Sequence, residues 1–275
     1  MLVLAVPFSL VMSHASSQEL YVFSEPASNM PARALSVKYT GKFLEGIASG
    51  ALEHRQKLYA QFGLDRRLML RAGATVSSMY SYPKTRGESM NAYLKYRFVS
   101  RDDVHAHFRA AAFLEGSRSR NDMKYDELSL EGDHSGLQGG LVLTQLVHKL
   151  AVSATVGVLE VFHWRRRDPQ HSGMHSFQSL NYSLSAGYLL FPRKYTGYGQ
   201  TNLNIYLELL GSRSLDKSKG FLDLAPALQL ILNSNTKVNL GYRFQASGNM
   251  FRMAERSVLL SVETTFLNAF GRKGK

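Results

Sequence analysis

The sequence predicts an all-β fold, an antiparallel up-and-down transmembrane β-barrel of about twelve strands. Three observations carry that prediction. Apolar residues recur at every second position through most of the 275-residue chain. That period puts them on one face of a strand, whereas a helix would smear charge around its circumference. Most of the alternating stretches are roughly 9–12 residues long, the length a tilted strand needs to cross a bilayer. The connections alternate short and long, as they do when one end of a barrel faces the periplasm and the other the outside.

Taken in order, the chain opens on an apolar, uncharged stretch, LVLAVPFSLVMS, which ends in Ser13-His14-Ala15, a small-x-small pattern. It is too short for a spanning helix and Pro7 interrupts it. It reads as a cleaved secretory signal over 1–15, although no basic residue precedes it, with the mature chain starting near Ser16. In residues 16–31, Pro26 and Pro31 oppose both helix and central strand. An extended periplasmic segment is expected there, and its insertion into the lumen as a plug is the alternative. The barrel is expected over 32–270, followed by a basic tail, GRKGK, at 271–275.

The expected strands are 32–43, 54–64, 68–79, 90–99, 104–115, 136–146, 151–162, 178–191, 201–211, 221–232, 237–246 and 256–266. In the first, Leu35, Val37 and Tyr39 alternate with Ser36, Lys38 and Thr40. The second runs through Phe62 and Leu64 into Asp65-Arg66-Arg67, and the third leaves through Leu68, Leu70 and Ala72. The charged corner therefore reads as a tight turn between two strands that keep one apolar face. The fourth sets Ala92, Leu94, Tyr96 and Phe98 against Tyr93, Lys95 and Arg97. The fifth sets Ala106, Phe108, Ala110, Ala112 and Leu114 against His105, His107, Arg109 and Glu115. Later strands repeat the pattern, with Leu203, Ile205, Leu207 and Leu209, then Leu222, Leu224, Leu228 and Leu230, then Val238, Leu240, Tyr242 and Phe244. Pro226 must sit at a bulge or where a missing N–H is tolerated. The connection 192–200, PRKYTGYGQ, is longer than its place in the alternation predicts.

The apolar set is long and nearly continuous, and the polar set carries charges of both signs. That favours apolar faces outward against lipid and polar faces inward. Aromatic residues are expected at the two rims: Tyr39, Phe43, Tyr80, Phe162 and Trp164 at one, Phe98, Tyr188, Phe191, Tyr242 and Phe266 at the other. A soluble lipocalin-like barrel is the alternative, and it predicts a protein that needs no detergent. The chain has no cysteine, which removes disulfides and thiolate metal sites. Its net charge of +12 suggests an anionic partner. The basic residues are spread along the chain with no nucleic-acid-binding motif, so nucleic acid is not expected.

The run YAQFGLDRRLMLRAG, the early ELYVFSEPASNMPA and the late SLSAGYLLFP, TNLNIYLELLG and FLDLAPALQLILNSNTKVNLGYRFQ are similar to those of a family of Gram-negative outer-membrane β-barrel transporters, the phenol-degradation MetA-pathway type among them. The resemblance covers most of the mature chain in pattern. It implies an outer-membrane location and a channel role, and it carries over no catalytic residues. The terminal strand SVLLSVETTFLNAF resembles the insertion signal of outer-membrane proteins, which makes the barrel-assembly machinery a partner during biogenesis.

The expected lumen lining is Lys38, Lys57, Arg71, Lys95, Arg97, His105, His107, Arg109 and Arg243, with Glu115, Glu208, Asp223 and Glu263 as candidate partners. As a channel lining this ladder selects a small solute, an anionic one if the basic residues dominate. Paired across the lumen, the same charges close it. His105 and His107 share a face, yet no third metal ligand is identifiable, and hydrogen-bonded structure is the plainer role. The loop HWRRRDPQHSGMHSF offers Arg165, Arg166 and Arg167 to anionic lipopolysaccharide head groups, although a solvated loop is simpler. The stretch from Ser117 to His134 is acidic in its second half and is placed to fold over the pore. The methionines near 28–30 and 248–253 suit packing better than soft-metal binding. No G-x-S-x-G motif is present and no cofactor site is expected. The leading function is a passive channel that is not an enzyme. A closed adhesive barrel and an outer-membrane hydrolase are the alternatives.

Overall fold

The computed structural model describes residues 21–47, 49–103, 106–163, 176–192, 199–216 and 218–270. These form twelve strands: β1 (Leu35–Glu45), β2 (Leu52–Gly63), β3 (Leu68–Ser77), β4 (Arg86–Asp102), β5 (Ala106–Ser119), β6 (Gly136–Val147), β7 (Leu150–Val161), β8 (Gln178–Phe191), β9 (Asn202–Ser214), β10 (Gly220–Leu232), β11 (Thr236–Gly248) and β12 (Arg256–Phe266). Each pairs antiparallel with its sequence neighbours. β1 closes on β12 in a register running from Leu35↔Phe266 to Phe43↔Val258. Closure leaves no unpaired strand edge, the condition for a sheet in lipid. β4 and β5 exceed the predicted spans because their ladder continues from Ser89↔Ser119 to Asp102↔His107, with a bulge between Arg97 and Val99. The expected signal at 1–15, His105, the loop residues Trp164 to His175 with Arg165, Arg166 and Arg167, and the basic tail lie outside the described residues.

The faces are inverted relative to a water-soluble protein. On β2, Leu58 is 56% exposed while Arg55 and Lys57 are 2% and 4% exposed. Leu94, Leu141, Leu184, Leu207, Leu240 and Leu260 are likewise exposed, whereas Glu208, Asp223, Gln229 and Ser261 are buried. In water this arrangement would desolvate charges inside and leave a belt of large aliphatic side chains outside, both unfavourable. Against lipid the belt is the favourable surface, so the barrel is a transmembrane one.

Local chemistry explains the turns. At the corner between β2 and β3, the Asp65 carboxylate accepts the N–H groups of Arg67 (2.5 Å) and Leu68 (2.7 Å). An aspartate placed this way builds the turn from its own side chain. Between β10 and β11, Asn233 (φ 48°) and Ser234 (φ 58°) both sit in the left-handed region, and Asn235 N–H donates to the Leu232 carbonyl. That is the primed turn whose twist matches paired strands. Pro226 pairs with Leu207 of β9, and the ladder to β11 is interrupted at Ala225 and Pro226 before resuming in the same register.

Two rim expectations are corrected. Tyr80 is not on the belt: it is buried with Leu44, Met79, Tyr125 and Met253 at the long-loop end. Tyr242 faces outward but lies opposite Val258, near the start of β12, and so belongs to the long-loop half of the barrel. Tyr188, Phe191 and Phe266 are exposed at strand ends next to the short turns, as expected, and Phe98 lies near that end of β4.

Candidate functional site

The lumen is occupied from both ends. From the short-turn end, residues 21–31 run up inside the barrel, which corrects the expected periplasmic placement of this segment. Its entry is fixed at Gly63, where any Cβ would stand 2.0 Å from the Pro31 carbonyl oxygen. Inside, the wall reads the segment mainly through its backbone. Lys95 Nζ donates to the carbonyls of Pro26 and Ser28 at 2.8 Å each. Ala27 N–H donates to Thr144 Oγ1 at 2.8 Å. The Glu208 carboxylate, fully buried, accepts three consecutive N–H groups, from Val22 and Phe23 (2.9 Å each) and Ser24 (2.8 Å). Apolar side chains complete the seat: Tyr21 and Val22 cluster with Leu146, Ala151, Tyr206, Ala227 and Leu259, and Ala27 with Ala111 and Val142. Gly241 leaves room for the Phe23 ring, which would lie 2.5 Å from a Cβ there.

From the long-loop end, the connection between β5 and β6 (residues 120–135) folds into the mouth. Met123, Leu128 and Leu130 pack on Leu159, Val161 and Phe177. Asp122 meets His163 at 2.9 Å, and the other four carboxylates each meet a lysine or arginine. Asp126 pairs with Lys219 (2.7 Å), and Glu127 with Arg252 (2.9 Å) and Arg243 (3.6 Å). Glu131 pairs with Lys57 (3.1 Å) and Lys42 (3.9 Å), and Asp133 with Arg55 (2.5 Å). Burial alone would raise the Glu131 carboxyl, but Lys57 and Lys42 together hold it below its ordinary range, and Arg55 does the same for Asp133. Burial moves His134 below the usual imidazole value, with Asp133 partly opposing.

Between floor and lid lies a cavity of about 330 Å³. Its strand-borne walls carry the inward-facing Lys38, Lys42, Arg55, Lys57, Arg71 and Arg243 against Glu115 and Asp223, with Arg256 at the start of β12 and Arg252 from the preceding loop also lining it. The remaining carboxylates facing it, Glu25, Glu127, Glu131, Asp133 and Glu255, come from the N-terminal segment and the connecting loops. Arg71 lies between the rings of Tyr59 (5.1 Å) and Tyr93 (4.4 Å), is paired with Glu25, and has Glu115 at 4.0 Å. Asp223 is chelated by Arg252 (2.7 and 2.8 Å) and Arg243 (2.5 Å).

The residues selected from sequence divide into three groups. Lys38, Lys57, Arg71, Glu115, Asp223 and Arg243 meet at the cavity. Lys95, Arg109 and Glu208 instead grip the N-terminal segment, Arg109 through Ser28 Oγ (2.7 Å). Three more lie toward the short turns. Arg97 donates to the Arg66 carbonyl (2.7 Å), His107 pairs with Asp102 (2.8 Å), and Glu263 pairs with Lys237 (3.4 Å). Sequence reasoning missed Lys42 and Arg55, although they share the strand faces of Lys38 and Lys57. It also missed Glu25, Glu127, Glu131, Asp133 and Arg252, which lie outside the strands and carry no periodic signal.

No protein-family model matches the chain, and no curated protein matches it in sequence. Its fold is similar to that of an outer membrane channel from Pseudomonas putida F1, at 13% identity over 90% of this chain and 100% of that one, with a TM-score of 0.55. The KdgM porin aligns at 12% identity over 84% of this chain and 99% of that one, TM-score 0.47. Outer membrane phospholipase A from Escherichia coli aligns at 14% identity over 93% and 96%, TM-score 0.41. At such identities the likeness is one of fold.

Proposed function

We infer that this chain is a Gram-negative outer-membrane channel for a small anionic solute, held here in a closed state, with the short turns in the periplasm and the acidic lid outside. The observation that carries the reading is the division of charge. The fixed wall of the cavity is predominantly cationic, while most of the carboxylates that neutralise it ride on segments outside the strands. A pore so built selects anions once those segments move, because a ring of fixed cations in a low-dielectric lumen concentrates counter-ions. The fold similarity to an outer membrane channel supports the same reading. In planar bilayers, a variant lacking residues 21–30 and carrying E131Q and D133N is expected to give discrete anion-selective steps. Adding K42E and K57E to it should move the reversal potential toward cation selectivity. A folded variant that is silent, or whose selectivity ignores those charges, refutes the reading.

A further inference from the structure

The lid carries a spacing as well as a charge. Glu131 and Asp133 stand two residues apart, and they meet Lys57 and Arg55, two residues apart on the inward face of β2, at 3.1 and 2.5 Å. Two strand residues cover about 7 Å. Gly132 between them has φ 121° and presses on this site, since a Cβ there would fall 2.9 Å from Glu88 Oε2 and 3.0 Å from Arg55 Nε. Glu88 holds the Nε edge of Arg55 (3.1 Å), so the guanidinium is fixed with its outer nitrogen turned to Asp133. The Glu131 side chain is 53% accessible, and its open side is the cavity.

We propose that the Lys57 and Arg55 positions are two consecutive anion subsites, that the lid carboxylates occupy them in the closed state, and that the ligand displacing the lid is a linear oligoanion with carboxylate or phosphate groups repeated at about 7 Å or less. The inference rests on the channel reading for its biological sense but not for its test. Elsewhere the lid is held by the packing of Met123, Leu128 and Leu130 and by the ion pairs of Asp126 and Glu127, none of which involves Lys57 or Arg55. The Glu131 and Asp133 side chains can therefore yield Lys57 and Arg55 to an incoming anion of the same chemistry while those other contacts hold. Self-occupancy also keeps the lumen cations paired when no solute is present, sparing the cost of buried unpaired charge.

The test is calorimetric titration of the full mature chain, folded in detergent, with trigalacturonate, tripolyphosphate and neutral maltotriose. At least one anion is expected to bind and maltotriose is not, and the preferred anion identifies carboxylate or phosphate as the natural group. The E131Q/D133N variant, with its internal competitor neutralised, should bind that anion on the order of tenfold tighter. Lys57→Met in the same background should reverse the gain. If the double variant fails heat-modifiable migration on gels, E131Q alone serves, with a smaller tightening expected. Equal affinity of variant and wild type, or equal binding of maltotriose, overturns the proposal. A barrel that tightens yet never conducts keeps the subsites and loses the channel. One that conducts without tightening does the reverse.

Discussion

Replacing Glu208 with glutamine should release the N-terminal segment and leave the barrel intact. The carboxylate accepts from Val22, Phe23 and Ser24 and from the Ser185 hydroxyl. A glutamine oxygen kept at the first position still accepts from Val22 and Phe23, as neutral bonds in place of charge-assisted ones, at a cost of about 1 kcal/mol each. Its amide nitrogen then faces the Ser24 N–H, donor against donor, which strands a buried donor at about 1–3 kcal/mol. Relief of burying a charge offsets part of this, and a net loss of about 3 kcal/mol remains. Because 1.4 kcal/mol is about tenfold, the ratio of docked to released segment should fall by roughly two orders of magnitude. Two assays read it. Cleavage after Phe23 by chymotrypsin, from which the docked segment is shielded inside the barrel, should accelerate. Open probability in planar bilayers should rise, most visibly in an E131Q/D133N background where the lid is already weakened. Heat-modifiable migration should match wild type, because the strand ladders around Glu208 are unchanged. A folded E208Q protein whose Phe23–Ser24 bond stays protected would refute the claim that this carboxylate is the anchor.

Gly241→Ala should act on the same segment by shape. The new Cβ would meet the Phe23 ring at 2.5 Å, an overpacking worth about 1–3 kcal/mol, so chymotryptic cleavage after Phe23 should accelerate by one to two decades without loss of barrel fold. Mild acid should loosen the lid through His134, which faces Asp133, Arg55, His163 and the Ser129 backbone. Burial depresses its pKa, so below its ordinary value of 6.5 the released loop binds a proton that the docked loop refuses, and docking weakens as pH falls. Glu131 and Asp133 are shifted down, so their contribution persists until the pH falls below the ordinary carboxylate value of 4.5 for Glu131. Channel opening as the pH falls below 6.5 that disappears in His134→Asn is the expected record, and an unchanged profile in that variant would exclude His134. At the β10–β11 turn, Ser234→Gly removes a side chain held at φ 58° and should stabilise the barrel by about 1 kcal/mol in urea-dependent unfolding. A destabilised variant would mean the Ser234 side chain contributes more than its backbone strain costs.

The strands are legible in the sequence because two solvents sort the residues. Lipid outside accepts only apolar side chains and the lumen prefers polar ones, so a period of two is imposed on every strand with little tertiary override. The same sorting places Lys38, Lys57 and Arg71 on the inner face by parity alone, and that parity extends to Lys42 and Arg55 nearer the long-loop ends of β1 and β2. It misplaces Tyr80 because residue 80 lies in a loop, where no period operates. It puts Tyr242 at the wrong rim because alternation gives the face of a residue but not its depth. Depth follows from register, and register is set by turns and bulges such as the one between Leu222 and Asp223.

What alternation cannot supply is the partner of each inward charge. Arg71 meets Glu25, and Lys57 meets Glu131, across the lumen rather than along a strand. Neither carboxylate belongs to a periodic stretch. Yet the two halves of each pair answer to one requirement. A cation facing a narrow lumen must be hydrated or paired, and the six inward-facing cations around the cavity, which among the described residues have Glu88, Glu115 and Asp223 beside them on the strands, demand further carboxylates from elsewhere. Among the described residues, the N-terminal segment and the loops bring them. The acidic second half of the 117–134 stretch and the lone glutamate of SEPASNMP are therefore what a cationic wall requires of its loops. An excess of inward-facing positive charge over inward-facing negative charge is thus itself the sequence signal for acidic segments that fold into the pore.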